Sequence, residues 1–413
     1  MIMRMQSANS TKTGFYRNVS FMLVVYWGIL VFWQNVSGAE TRGTMDLLIK
    51  VGLMIYFVGF YLLRARTFNI KGLPVLLLAI SLLITASTES TFSLGNLVSY
   101  AYPVIILFVV YGFGDNLQIN REQLLAFCKC VIGITLYAAI YAVIFCWDQF
   151  AGALSLNSAY GNELSSFFIS NFEYGMYLAA AIASAFLCLS MMPNRTIGKC
   201  LFYMAVIAIF AVNLILTFSR TSILSLAAFL IVYIVIGKKE WRKWLFLFAI
   251  IALLLFAIPT INRFVTEVVF KNDNMAGRDV LFEKGLLFYQ DGSVSEKIFG
   301  FGVSEVTQHF EKHYDHSNVH NGYLQILLYY GSVGILFLLG FLLCQVIGSI
   351  KLIRRDRTVG TAVLGLNLSA ILIMVTTTAT IFHSTIDSYF LTAFFIITPK
   401  YIKNCVFAGE FYK

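Results

Sequence analysis

A chain of 413 residues that is 59% hydrophobic and only 12% charged is not a water-soluble globular domain, which carries about twice that charged fraction. The net charge of +9 does not point to nucleic acid, because the basic residues sit between apolar runs rather than along one face or stripe. The apolar runs are continuous, without an alternation of period two, so the expected fold is an all-α polytopic membrane protein.

Twelve candidate spans follow in chain order, at residues 19–34, 45–63, 73–86, 94–113, 124–145, 172–191, 201–218, 221–236, 244–259, 322–347, 360–381 and 389–402. The first follows Arg4, Lys12 and Arg17 and precedes Ser37-Gly38-Ala39, which resembles a small-x-small cleavage site. Its length, and the membrane segments after it, make a retained first helix the expectation. The third and last spans are short enough to be re-entrant or tilted elements. All seven cysteines lie in or beside apolar runs, and Cys128 and Cys130 form C-x-C. They read as small buried hydrophobes rather than a disulfide framework or a zinc site.

With the N-terminus in the cytoplasm, most of the 30 basic residues fall on the inner side, as the positive-inside rule requires. They include Arg64, Arg66 and Lys71, the cluster Lys238, Lys239, Arg242 and Lys243, and the cluster Lys351, Arg354, Arg355 and Arg357. Only Arg42, Lys50 and Arg220 remain in or beside short outer segments. Both termini are then cytoplasmic, and the long hydrophilic stretch 261–319 is extracytoplasmic. The chain divides into N-terminal membrane helices (1–260), this loop (261–319) and C-terminal membrane helices (320–413). Loops of this length are functional or disordered. Because this one keeps Phe264, Val268, Leu281, Phe282, Leu286, Phe288 and Phe299, it is expected to fold as short helices lying on the membrane.

The outer side also holds the residues suited to chemistry. Arg220, in LTFSRTSILSL, tips a nearly absent connection between two apolar runs. It is either an interfacial anchor that snorkels to lipid phosphate or a guanidinium fork that grips an anionic headgroup. Arg278, in NMAGRDVLFEKGLLFYQ, begins an expected amphipathic helix near Gly277 with Val280, Leu281, Leu287 and Phe288 as its apolar positions. It is either a solvated residue paired with Asp279 or Glu283 or a second phosphate ligand. His309, His313, His316 and His320 would share one face of a continuous helix and invite a zinc reading, but His316-Ser317-Asn318 looks like a helix break. His320, where the loop returns to the membrane, is the histidine set apart, since a neutral imidazole accepts a proton near pH 7. Asn321 reads as the N-cap of the next helix, and Gly331 and Gly334 as sites of close helix packing. Glu173, near the outer end of the sixth span, and His383 with Asp387, spaced i, i+4 at the outer end of the last helix pair, are second-rank candidates.

Three stretches, in this order, carry a family resemblance: LTFSRTSILSL at the hairpin, AGRDVLFEKGLLF followed by FGFGVSEV in the loop, and HNGYLQILLYYGSVGIL at the return to the membrane. Together they resemble the O-antigen ligase/polymerase superfamily, over Leu216 to Leu343. The resemblance implies a multi-helix, GT-C-like glycosyltransferase of the bacterial inner membrane with one long, partly helical periplasmic loop. It implies transfer of a glycan from undecaprenyl diphosphate to an acceptor on the periplasmic face, with no nucleotide sugar, cofactor or metal. On the matching residues, Arg220 and Arg278 would hold the diphosphate and His320 would act on the acceptor hydroxyl. Two arginines can stabilise the charge of a diphosphate leaving group. One base without a carboxylate nucleophile suggests a single inverting displacement, since glycosidases use two carboxylates. The form of the second and third stretches looks more like the polymerase, which joins lipid-linked repeat units, than the ligase, which moves the glycan to the lipid A core. Donor and acceptor glycolipids, the bilayer and a chain-length regulator are the partners this implies. A transporter of lipid-linked oligosaccharide is the alternative from another class. No internal repeat is visible, however, and the ionisable candidates gather at the outer face rather than mid-membrane.

Overall fold

The computed structural model of the chain describes residues 121–154, 163–168, 170–191, 196–237 and 278–377, with isolated positions at 51–52, 55, 81–82, 84–86, 98 and 101. Among them run helices α1 (Arg121–Phe145), α2 (Trp147–Leu154), α3 (Asn171–Met191), α4 (Ile197–Leu216) and α5 (Arg220–Ile236). After the gap come α6 (Arg278–Asp291), α7 (Val294–Phe299), α8 (Val303–Tyr314), α9 (Gly322–Arg355) and α10 (Arg357–Thr376). Helices α1, α3, α4, α9 and α10 are long and apolar enough to cross a membrane, and α5 is a shorter apolar helix. These six correspond to the spans expected at 124–145, 172–191, 201–218, 221–236, 322–347 and 360–381. The other expected spans, and with them the count of twelve and the GT-C-like arrangement, extend over residues outside those described, as do His383 and Asp387.

Helix α3 is the centre of the bundle. Tyr174 to Ala185 and Leu187 to Leu189 are buried without interruption, as befits a helix apolar on every side. Its run of alanines lets neighbours close in from all directions, which is how helices associate where lipid is as apolar as the core. Two polar pairs cross between helices inside the bundle. Tyr174 Oη donates to Asn213 Oδ1 of α4 at 2.9 Å, and Asn367 Nδ2 of α10 donates to Ser349 Oγ of α9 at 2.7 Å.

Helix directions follow from these contacts. Between α5 and α10, Ser369 Oγ donates to Ser225 O (2.5 Å), Gly365 lies against the Phe229 ring and Arg357 Nε donates to Ile236 O (2.6 Å). Between α9 and α10, Asn321 Nδ2 donates to Val375 O (2.8 Å) and Tyr323 Oη to Ile371 O (3.0 Å). Helix α10 is therefore antiparallel to both. One end of the bundle gathers Arg121, Lys199, Lys351, Arg354, Arg355 and Arg357. There Arg121 donates to Met191 O, and Arg357 to Ile236 O, so cations meet the C-terminal carbonyls of α3 and α5. The opposite end gathers the α4–α5 turn, the start of α9 and the helices α6–α8.

Two local readings change. Helix α9 continues to Arg355, beyond the expected end at 347, because basic residues carry the hydrogen-bond ladder on after the apolar run ends. It is also not one helix. Gly331 sits at φ 65°, ψ −167° and breaks it, so this glycine serves a kink as well as the expected close packing, here against the end of α7 at Ile298.

Candidate functional site

At the α4–α5 hairpin, three residues turn the chain. Phe218 takes a left-handed φ of 53°, and the hydroxyl-rich neighbours hold it there. Asn171 Nδ2 donates to Thr217 O (2.9 Å), Ser219 N–H donates to Thr217 Oγ1 (3.2 Å), and the Ser219 and Ser222 hydroxyls are 2.8 Å apart. Gly175 of α3 leaves room for the turn, since a Cβ there would lie 2.8 Å from Ser222 Oγ. Thr217, Ser219 and Ser222 are buried, whereas Arg220, the first residue of α5, is exposed. Its charge stands at the positive end of the α5 dipole, an arrangement that an anion relieves. Glu173 lies beside this turn, half-buried in the first turn of α3, with its N–H on Ser170 Oγ (3.1 Å).

Within the loop, α6 begins at Arg278, one residue after the expected start. Its buried positions are Leu281 and Gly285, while Val280 (49%) and Leu287 (42%) are exposed. The expected apolar face is thus split: one side packs on the bundle and the other is left uncovered by the described residues. A Cβ on Gly285 would meet Leu324 Cδ2 at 2.8 Å and Val319 Cγ1 at 3.1 Å, so α6 rests directly on the start of α9.

The FGFG segment locks into the α9 kink. Gly300 (φ 94°, ψ 165°) and Gly302 (φ 92°, ψ 158°) adopt a backbone region open almost only to glycine. A break frees carbonyls of the preceding turn, and Phe301 N–H takes one of them, Leu328 O, at 2.9 Å. Phe299 O in turn accepts from Thr85 Oγ1. The two glycine-bearing stretches occur together because each fills the other's gap.

The histidine row divides. Helix α8 ends at Tyr314 with Asp315 left-handed at φ 56°, which leaves His309 and His313 on the helix and His316 and His320 beyond it. The His309 ring lies 4.2 Å from that of Phe288 and joins α8 to α6. Burial, and after it the neighbouring His313, hold the His309 imidazole below its ordinary value. Neutral His309 therefore favours docking. That contribution is complete above the ordinary histidine pKa of about 6.5 and is lost as pH falls through the depressed folded value. Amide exchange across residues 278–314 should accelerate on acidification from pH 7.5 to pH 5.5. The acceleration should shrink in His309→Phe, and an identical pH response in that variant would refute the assignment. Among the described residues no three His, Cys, Asp or Glu side chains converge as a metal-binding group.

His320 stands at φ 51°, half-buried, its ring 5.7 Å from that of His316. Asn321 caps α9 as expected, accepting the Leu324 N–H at 3.0 Å. Since α5 and α9 both start where α10 ends, Arg220 and His320 share one end of the bundle. Neighbouring helix axes lie about 8–10 Å apart, so the axes of α5 and α9 are separated by no more than about 20 Å. The backbone of Arg278 lies two turns, about 10 Å, along α6 from Gly285 on the His320 turn. Sequence reasoning missed Glu163, a lone carboxylate in GNELSSFF. The adjacent Leu164 N–H donates to Leu216 O (3.1 Å), which sets Glu163 next to the Arg220 turn, and burial raises its pKa.

No curated protein matches the chain. Residues 205–339 match the family model described as O-antigen ligase, a stretch that runs from α4 past the kink in α9 and includes Arg220, Arg278 and His320. This match, over residues 205–339, is consistent with the O-antigen ligase/polymerase superfamily.

Proposed function

We propose that the chain is an inverting, metal-independent polysaccharide polymerase working at the periplasmic face of the bacterial inner membrane. The donor is a glycan on undecaprenyl diphosphate, and the acceptor is the terminal sugar hydroxyl of another lipid-linked repeat unit. Arg220 and Arg278 bind the diphosphate and stabilise the charge that develops as the anomeric carbon–oxygen bond breaks. His320 takes the proton of the acceptor hydroxyl as that oxygen attacks the anomeric carbon from the opposite side. Glu173, His383 and Asp387 remain secondary candidates for holding sugar hydroxyls.

The observation that carries this reading is the hairpin turn. Its buried hydroxyls and carbonyls are bonded to one another, while Arg220 is left exposed at the bundle end that also presents His320. The description of the matched family favours a second reading, the ligase that moves the glycan to lipid A core. Both readings use the same donor chemistry.

Complementation of a strain lacking the gene separates them. If the chain is the polymerase, the deletion leaves a single repeat on the lipid core. Wild type then restores the ladder on a polysaccharide gel, and His320→Ala does not. Complete loss of glycan on the core, with long lipid-linked polymer accumulating, assigns the ligase. Full complementation by His320→Ala at normal expression would remove His320 from the reaction and turn attention to transport.

A further inference from the structure

The short segment before α9 is held by side-chain amides rather than by backbone pairing. His320 occupies a left-handed conformation that a residue with a Cβ adopts only at a cost, so its surroundings must impose it. Its N–H donates to Asn318 Oδ1 at 3.1 Å. The preceding residue, Val319, is 1% exposed, and its N–H donates to Gln325 Oε1 at 3.1 Å. Asn321 ties the other side, with its Nδ2 on Val375 O of α10.

Gln325 is the unusual member of this set. It is 0% exposed in the run GYLQILLYY, where methionine or leucine would fill the same space without a polar group. The Tyr329 hydroxyl, one turn on, lies within reach of its amide. Burying an amide is unfavourable unless its polar atoms are bonded, and the bond its oxygen makes is to the backbone of the segment before α9. That oxygen bonds the backbone one residue before His320, from a helix anchored to α10 and to the FGFG segment. The bond therefore links the direction of the imidazole to the rigid part of the bundle.

We infer that Gln325, assisted by Asn318, is a positioning residue that fixes the backbone presenting His320. The inference rests on the reading of His320 as the group acting on the acceptor hydroxyl. A small error in that group's placement is costly, because proton transfer requires hydrogen-bond contact in a narrow geometry.

Two substitutions with opposite expectations test it in the purified full-length chain, with lipid-linked glycan extracted from the deletion strain as substrate. Gln325→Met keeps length, helix propensity and volume but cannot accept the Val319 N–H. Gln325→Glu keeps the accepting oxygen and brings a buried carboxyl. If the oxygen matters, Met should lower kcat about tenfold or more with KM little changed, because a misplaced proton acceptor slows the chemical step. Glu should stay within a few-fold of wild type, and amide exchange at Val319 should quicken in Met and remain slow in Glu. If Gln325 only fills space, Met should be the better enzyme, and that order overturns the inference. Should neither variant accumulate, Asn318→Ala at its half-exposed position decides: a clear fall in kcat supports the positioning role, and an unchanged kcat overturns it. His320→Ala is measured alongside. Full activity there refutes the role of His320 itself, whereas loss there with Met at least as active as Glu refutes the positioning role alone.

Discussion

Gly331→Ala is expected to undo the docking of the FGFG segment and to leave little stably folded protein. A Cβ at this position would lie 2.3 Å from Ile298 O and 2.5 Å from Gly300 N. Both are backbone atoms, which cannot swing aside as a side-chain tip can. The backbone at φ 65°, ψ −167° is itself essentially glycine-only. If the substitution instead restored a regular helix, Leu328 O would no longer be offered to Phe301 N–H, and Gly300 would lose its seat against Tyr329. Backbone strain and lost packing together are expected to cost about 3 kcal/mol or more. Gly340→Ala on the same helix is the control. Nothing lies within 4 Å of its added Cβ, so it should be neutral or stabilising by up to about 1 kcal/mol. Thermal unfolding in detergent, with protease sensitivity of residues 278–319, would measure the contrast. Equal behaviour of the two variants would mean that the kink does not hold the loop.

Arg220→Ala should show the reverse pattern, with activity lost and stability kept. The turn is held by Asn171, Thr217, Ser219 and Ser222, and the Arg220 side chain is exposed. Its removal leaves no cavity and no unpaired buried group. If it stabilises charge on a departing diphosphate, transfer should fall about 100-fold, as when one preorganised donor to a developing anion is removed. Arg220→Lys should recover part of this, since it keeps the charge but loses the planar two-pronged fork. Unchanged transfer would leave Arg220 as an interfacial anchor. A fall in melting temperature to match the lost activity would make its role structural. On the proposed function, comparison with His320→Ala and Gln325→Met separates the leaving-group side of the site from the acceptor side.

Much of the path to these residues is legible in the chain. The spans around α1, α3, α4, α5 and α10 are visible because an apolar run of sufficient length has few alternatives in a bilayer. The Asn321 cap is also legible, since it depends on a side chain bonding to backbone three residues away, and the break expected at His316-Ser317-Asn318 falls just before it, at the left-handed Asp315. The buried face of α6 is less legible. Val280 and Leu287 look like core positions, but the buried surface runs through Leu281 and Gly285. A glycine carries no hydrophobic signal, and only the fit against Val319 and Leu324 reveals its use.

Hydropathy also cannot rank the helices. Helices α3 and α4 are both strongly apolar, yet α3 is enclosed while α4 exposes Leu201, Phe202 and Ile215. Lipid and protein interior are equally apolar, so composition offers no contrast between them. The glycines of FGFGVSEV and YYGSVG likewise signal backbone freedom without saying what approaches them. The sequence by itself determined a helical membrane protein, the basic end of its bundle, and Arg220, Arg278 and His320 as candidates, because length, charge and short-range capping are local properties. Only the tertiary structure decided that α3 lies at the centre, that α9 breaks to receive Gly300, and that Gln325 reaches back to Val319. Each of these depends on which surfaces meet, and residues distant in the chain come into contact only once the helices have packed.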